Sequence, residues 1–177
     1  MKKYSNFIYL ASKFYIMILM LITIQFINAN AQSAEETVSY INTQIIESTK
    51  SAIDYFAMNK ISLNNKGKLT TDSYMFLTNE WVLMESRAGY LKKIKFNRIH
   101  TVKNLDGSVD YVIILSCLDN NECISRQVKS QSNVANYHEI GIIVYSFPIA
   151  EKIQKAFQHL INMAASNSQY LSKDPFD

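Results

Sequence analysis

Between Ile61 and Phe147 the chain alternates short apolar runs with turn residues, and no other feature of the sequence restricts its fold as much. This alternation is typical of antiparallel strands joined by hairpins. Residues 64–67 and 104–107 have the Asn, Asp and Gly content of tight turns. Residues 111–117 form the most apolar run, and the lack of a polar face predicts a central strand. A strand over residues 91–99 is predicted after a break at Gly89, and residues 111–117 are expected to form a hairpin with residues 123–128. A polar loop over residues 130–136 then precedes a last strand over residues 140–147, so the sequence predicts six or seven antiparallel strands in succession.

A helix is predicted before these strands. Ser33 and Glu36 have the Ser-x-x-Glu spacing of a capping box, and the apolar residues behind them recur at helical intervals. This pattern predicts a first helix over residues 35–47. Residues 48–60 fit either a continuation of that helix or a strand, and the sequence leaves this segment open.

A second helix is predicted after the strands. Pro148 ends the last strand and suits the first turn of a helix. Ile153, Phe157 and Leu160 then share one face, so we expect this amphipathic helix to dock on the sheet. The polar residues 166–177 are expected to form a flexible tail.

These elements predict a single α+β domain over residues 32–165. Its expected order is an N-terminal helix, an antiparallel six- to seven-stranded curved sheet or partly open barrel, and a C-terminal amphipathic helix. The segment IKFNRIHTV, residues 94–102, has the pattern of a strand followed by a bend. In this respect the chain resembles the pleckstrin-homology-like (PH-like) superfold over about residues 61–164. The resemblance implies a binding or scaffolding module rather than an enzyme.

The first 31 residues have the features of a signal peptide. Lys2 and Lys3 precede an uncharged apolar run over residues 14–27, and Ala29 and Ala31 occupy the small-residue positions of a cleavage site. The run is shorter than the roughly 18 to 20 residues that a bilayer span needs. We expect cleavage after Ala31, a secreted or periplasmic protein, and no transmembrane segment in the mature chain.

The charge balance of the expected mature chain is neutral. The full chain has 18 basic and 15 acidic side chains. Because the signal peptide contains three lysines and no acid, 18 − 3 leaves 15 basic against 15 acidic side chains. A neutral chain gives no global attraction to nucleic acid or to anionic membranes. We therefore expect no nucleic-acid partner.

The two cysteines, Cys117 and Cys123, are the only ones in the chain. They lie at either end of a short predicted turn, and an exported pair of this kind is expected to form a disulfide. A redox-active pair or a zinc site is the alternative. Redox chemistry prefers Cys-x-x-Cys and zinc needs further ligands, so the structural role is favoured.

A cluster of basic residues lies between Glu85 and Asp106, where the sequence has no acid. Its members are Arg87, Lys92, Lys93, Lys95, Arg98, His100 and Lys103. Lys92, Lys93, Lys95 and Arg98 form a candidate anion-binding patch for an acidic partner, a phosphorylated or sulphated ligand, or lipid head groups. The alternative is that these charges protect an edge strand from aggregation.

No motif for catalysis, metal binding or cofactor binding is recognisable. His100, His138 and His159 are far apart, and the chain contains no nucleophile elbow or phosphate-binding glycine loop. The sequence therefore predicts no catalytic residue, no metal site and no cofactor.

Three functions remain as hypotheses. The first is an exported, non-catalytic interaction module that binds a protein or peptide at a sheet edge or groove. The second is a small-ligand or lipid carrier with an aromatic-lined cavity. A hydrolase with residues assembled from distant positions ranks third, and the sequence makes no prediction of oligomeric state.

Overall fold

The protein is represented by a computed structural model, which describes residues 33–50, 57–119, 121–131 and 133–166. The predicted signal peptide, its cleavage site and the tail from residue 167 onward lie outside the described residues.

Among the described residues, two helices flank eight strands, so the predicted α+β class is confirmed. The helices are α1, Ala34–Lys50, and α2, Phe147–Ser166. A short 3-10 helix, Leu91–Lys93, lies between the third and fourth strands. The strands in chain order are β1 Ala57–Leu63, β2 Lys68–Leu77, β3 Glu80–Tyr90, β4 Ile94–Lys103, β5 Val109–Cys117, β6 Ile124–Val128, β7 Val134–Tyr137 and β8 Glu139–Val144.

The eight strands form two antiparallel sheets, whereas the sequence predicts one curved sheet or partly open barrel of six or seven strands. The five-stranded sheet has the order β1-β2-β3-β6-β7, and the three-stranded sheet has the order β4-β5-β8. After β5 the chain leaves the three-stranded sheet, adds β6 and β7 to the other sheet, and returns as β8. The hairpin predicted between residues 111–117 and 123–128 is therefore wrong, because β5 and β6 belong to different sheets.

Several predicted boundaries also differ. Gly89 was expected to interrupt the strands, but it lies buried within β3, where an added Cβ would approach Ile124 Cγ1 to 3.2 Å. The glycine there permits close packing. Residues 91–93, expected as strand, form the 3-10 helix, and the expected loop over residues 130–136 contains β7.

The structure assigns part of residues 48–60, for which the sequence leaves helix or strand undecided, and it gives the end of the last strand. Helix α1 continues to Lys50, and β1 begins at Ala57, with residues 51–56 outside the described range. The last strand ends at Val144, earlier than the predicted end, and Phe147 already belongs to α2.

The hydrophobic core lies between the helices and one face of the three-stranded sheet, and one part of the five-stranded sheet completes it. Helix α2 packs against β4, β5 and β8, and α1 packs against β1 and α2. Ile153, Phe157 and Leu160 are fully buried, which confirms that α2 docks through its predicted apolar face. The other fully buried large side chains are Ile41, Ile45, Ile61, Leu69, Leu91, Ile94, Ile113, Leu115, Ile124, Ile140 and Ile142.

The predicted disulfide is present and connects the two sheets. Cys117 is the last residue of β5, and Cys123 directly precedes β6. Their S–S distance is 2.06 Å and their Cα atoms are 5.8 Å apart. The bond thus spans the point at which the chain passes from one sheet to the other.

Candidate binding groove

An open groove of about 470 Å³ lies between the two sheets on the side of the three-stranded sheet away from the helices. Strands β1, β2, β3 and β6 contribute one side of the groove, and β5 and β8 contribute the other. Its lining residues are Ala57, Met58, Asn59, Ser73, Tyr74, Met75, Met84, Glu85, Arg87, Val112, Arg126, Val128, Gly141 and Ile143.

The wall formed by the three-stranded sheet is apolar. Val112 lies directly across from Ile143, and Ile114 lies across from Gly141, so these residues share one face. An added Cβ at Gly141 would lie 3.1 Å from Val112 Cγ1. Because Gly141 has no side chain, the side chain of Val112 has room beside it in the wall.

The floor formed by the five-stranded sheet contains three charged side chains in one network. Arg87 Nη2 lies 2.8 Å from Glu85 Oε1. Arg126 donates from Nε and Nη2 to Glu85 Oε2, both at 2.6 Å. In the β3–β6 pairing, Glu85 lies across from Val128 and Arg87 lies across from Arg126. This register brings the three charged side chains together. Two arginines and one glutamate give the floor a formal charge of +1.

Arg126 has a second partner, Tyr137. Its Nη1 donates to the Tyr137 hydroxyl at 3.0 Å, and its guanidinium carbon lies 5.3 Å from the Tyr137 ring centre. The hydrogen bond to Tyr137, followed by that to Glu85, raises the pKa of Arg126. Arg126 is therefore held as a cation by contacts within the five-stranded sheet.

Arg87 has spare hydrogen-bonding capacity. Its Nε is buried and has no hydrogen-bond partner among the described residues, and the same holds for the hydroxyl of Thr71. Thr71 lies directly across from Arg87 in the β2–β3 ladder. The floor of the groove is consequently polar, whereas its wall is apolar.

The β2–β3 hairpin extends beyond the groove and exposes apolar side chains at its end. We call residues 75–84 the hairpin tip. Five of the twelve exposed large apolar side chains among the described residues lie within this segment. They are Met75, Phe76, Leu77, Trp81 and Met84, each between 37% and 42% exposed. Met75 and Met84 also line the groove, so the tip adjoins the groove.

The tip is ordered by its own turn and by an aromatic pair. Thr78 and Asn79 have φ values of 49° and 67°, and positive φ at both central positions is what a type I′ hairpin turn requires. Phe76 lies across from Trp81, with ring centres 5.3 Å apart. Among the described residues, no strand flanks the hairpin beyond Met75 on β2 or before Glu85 on β3.

The structure divides the predicted anion-binding patch. Lys95 and Arg98 are exposed on β4, across from Ser116 and Ile114, and thus on the same face as the apolar wall. Lys93 instead lies beside the disulfide, where it lines a separate pocket of about 250 Å³. Lys92 is half-buried in the 3-10 helix. Two of the four residues thus lie in the 3-10 helix and two on β4.

The three histidines do not meet. His100 lies on β4 and His159 on α2, while His138 Nε2 is 3.8 Å from Glu122 Oε1. Among the described residues, no group of three or more His, Cys, Asp or Glu side chains is arranged to hold a metal ion.

None of the described helices is both long enough and apolar enough to cross a membrane.

Sequence reasoning placed Arg87 in the basic cluster but did not predict its pairing with Glu85 and Arg126. Glu85 and Arg87 are two positions apart in a strand and therefore point to the same face. Charged residues on the inward face of a strand are the signal that would have indicated a polar floor. The contribution of Arg126 depends on β3 pairing with β6, which the sequence did not reveal.

Comparison with known proteins gives no assignment of this groove. No protein-family model matches the chain, and no curated protein or solved structure matches it significantly.

Proposed function

We propose that this protein is an exported, non-catalytic protein-binding module whose interface consists of the hairpin tip and the adjoining groove. The observation that carries the proposal is the set of five exposed apolar side chains on the hairpin tip, two of which, Met75 and Met84, also line the groove. Exposed apolar surface of this kind is unfavourable in water unless a partner covers it.

The composition of this surface supports a protein partner. Trp, Met and Arg are enriched in protein interfaces, and the tip and groove contain Trp81, Met84 and Arg87. Methionine side chains are flexible and polarisable, so they adapt to the shape of a bound segment. The PH-like resemblance, which remains a prediction, implies the same kind of role.

The shape of the groove favours a protein over an enclosed small ligand. A carrier site usually buries 70–90% of its ligand in a cavity. This groove is open, and Tyr74 is the aromatic residue that lines it. The exposed aromatic pair lies outside the groove on the protruding hairpin, where it is suited to contact a second surface.

The chemistry of the groove also favours binding over hydrolysis. Among the described residues that line it there is no histidine or cysteine. The Ser73 hydroxyl accepts a hydrogen bond from Asn59 Nδ2 at 2.8 Å, so it is paired with an amide rather than a base.

Site-specific photo-cross-linking tests this proposal. A photoreactive amino acid at Phe76 should yield a discrete protein adduct in cells that export the protein. The same probe at Lys155, which is exposed on α2 away from the groove, should yield none. Adding Trp81→Ser should abolish the adduct at position 76. Equal adduct patterns at positions 76 and 155, or no protein adduct at either, would contradict the proposal.

A further inference from the structure

We infer that the partner segment is an extended, acidic and apolar stretch of polypeptide, held between the groove and the basic side chains of β4. This inference rests on the proposed function and specifies the chemistry of the partner. It follows from a juxtaposition in the three-stranded sheet, where cationic and apolar side chains occupy adjacent positions on one face.

The register of β4, β5 and β8 defines this face. Arg98 lies across from Ile114, which lies across from Gly141. In the next row, His100 lies across from Val112, which lies across from Ile143. Since Val112, Gly141 and Ile143 line the groove, the β4 side chains form its rim one strand away. We call Lys95, Arg98 and His100 the basic rim.

Lys95 and Arg98 of the rim form no ion pair with the other described residues. Glu139 is at the far end of the Lys95 row, where its carboxylate accepts hydrogen bonds from Asn97 and Ser116, both at 3.2 Å. The floor of the groove adds a further formal charge of +1.

The net formal charge of this face and the floor is +1, because Lys95, Arg98 and the floor carry three positive charges against the carboxylates of Glu139 and Asp110, whereas the chain that follows the predicted signal peptide is neutral. This excess of positive charge selects a partner that carries negative charge. The apolar wall beside it selects apolar side chains, because Val112 and Ile143 gain nothing from a purely ionic ligand. The partner must therefore supply both kinds of group within a short length.

An extended peptide meets this requirement. Alternate residues of an extended chain point in opposite directions, so apolar side chains can enter the groove while acidic ones remain at the rim. The long side chains of Lys95 and Arg98 can reach carboxylates there. Protection of the β4 edge is a weaker explanation for the charges, because the bulge between Phe96 and Arg98 already interrupts that edge.

The test measures fluorescence anisotropy of a labelled peptide, acetyl-Glu-Leu-Asp-Ile-Glu-Val-Asp-amide, with the exported protein. One control peptide replaces every acid by Lys, and another replaces every apolar residue by Ser. We expect binding of the first peptide, at least about tenfold weaker binding of each control, and loss of affinity as salt increases.

Charge reversal on β4 locates the contact. Arg98→Glu should weaken binding by about tenfold or more, and Lys95→Glu provides a second rim variant if the first does not fold. Lys103→Glu is the matched control, because Lys103 is exposed on the same strand but lies across from Val109, on the helix side of the sheet. Its effect should be less than about twofold, since it is remote from the groove.

Three results would overturn the inference. They are equal weakening by Arg98→Glu and Lys103→Glu, no binding of the acidic peptide by the unmodified protein, and Arg98-dependent binding of polygalacturonate without binding of the peptide.

Cross-linking at position 76 is measured in parallel in the Arg98→Glu variant. If the adduct persists unchanged, the acidic-partner inference is wrong and the protein-binding proposal stands. If the unmodified protein gives no adduct, the proposed function is wrong as well.

Discussion

At the residue scale, polar side chains rather than strand ladders join several neighbouring elements. Asn42 of α1 donates to the carbonyl of Ile61 and accepts from its N–H, both at 2.8 Å. Asn59 of β1 accepts from the N–H of Ile143 in β8 at 2.8 Å. An amide side chain has both a donor and an acceptor, so it satisfies buried backbone groups where no strand can pair. Asn59 thereby fixes the edge of one sheet against the other at the groove.

Tyr145 makes a second link between the sheets and carries a testable pH dependence. Its hydroxyl donates to the carbonyl of Ala57 at 2.8 Å. Burial, and then the negative charge of Asp110, raises the pKa of Tyr145. The folded-state pKa exceeds the unfolded value of about 10. The contribution of protonated Tyr145 to the free energy of unfolding is therefore fully present below pH 10, and it is lost as the pH rises through the folded-state pKa.

Tyr145→Phe should lower the free energy of unfolding by about 1 kcal/mol at neutral pH, because one hydrogen bond is lost. Denaturant titrations from pH 7 to pH 11 would measure the difference between this variant and the unmodified protein. We expect the difference to shrink above pH 10. A difference that stays constant over this range would show that Tyr145 titrates alike in the folded and unfolded states. Tyr40→Phe, at an exposed position on α1, is the control and should change little.

At the element scale, helix α2 closes the core and should dominate its stability. Phe157→Ala removes a fully buried ring and should cost about 3 to 5 kcal/mol through lost burial and the cavity left behind. Lys155→Ala, on the exposed side of the same helix, should change the unfolding free energy by less than about 0.5 kcal/mol. Thermal unfolding of both variants would measure the contrast. Equally small shifts would mean that α2 is not held by its apolar face.

The elements with strong periodicity were predictable from the sequence, and their sheet partners were not. Helix α2 combines a helix-starting proline with a regular apolar face, and β5 combines length with apolar residues throughout. All four residues of strand β7 are exposed, so the strand lacks the alternation of buried apolar and exposed polar residues by which a strand is predicted. A period of two residues defines which side chains share a face, but it does not define which strand lies alongside.

The groove was harder to predict for the same reason. Its wall and floor come from different sheets, and neither sheet is continuous in the sequence. The basic rim was visible as a run of cations without acids, but the same run includes Lys92 and Lys93, which the structure places elsewhere. Only the strand register separates Lys95 and Arg98 from these neighbours.

At the scale of the whole molecule, the two sheets share one core and leave an open groove between them. The helices cover the inner face of the three-stranded sheet, while the disulfide and the Asn59 and Tyr145 hydrogen bonds connect the sheets. The disulfide closes a short loop, for which chain entropy predicts a contribution of roughly 2 kcal/mol. These links hold the two sides of the groove in a defined arrangement before any partner binds, which lowers the cost of binding.

The central claim is that the hairpin tip and groove bind another protein. Native mass spectrometry of the protein, isolated gently from cells that export it, tests this most directly. We expect a complex with the mass of a second polypeptide, and we expect Trp81→Ser to abolish it while Lys155→Ala leaves it intact. Detection of the chain with a bound small molecule or lipid, or of the bare chain in every sample, would contradict the account.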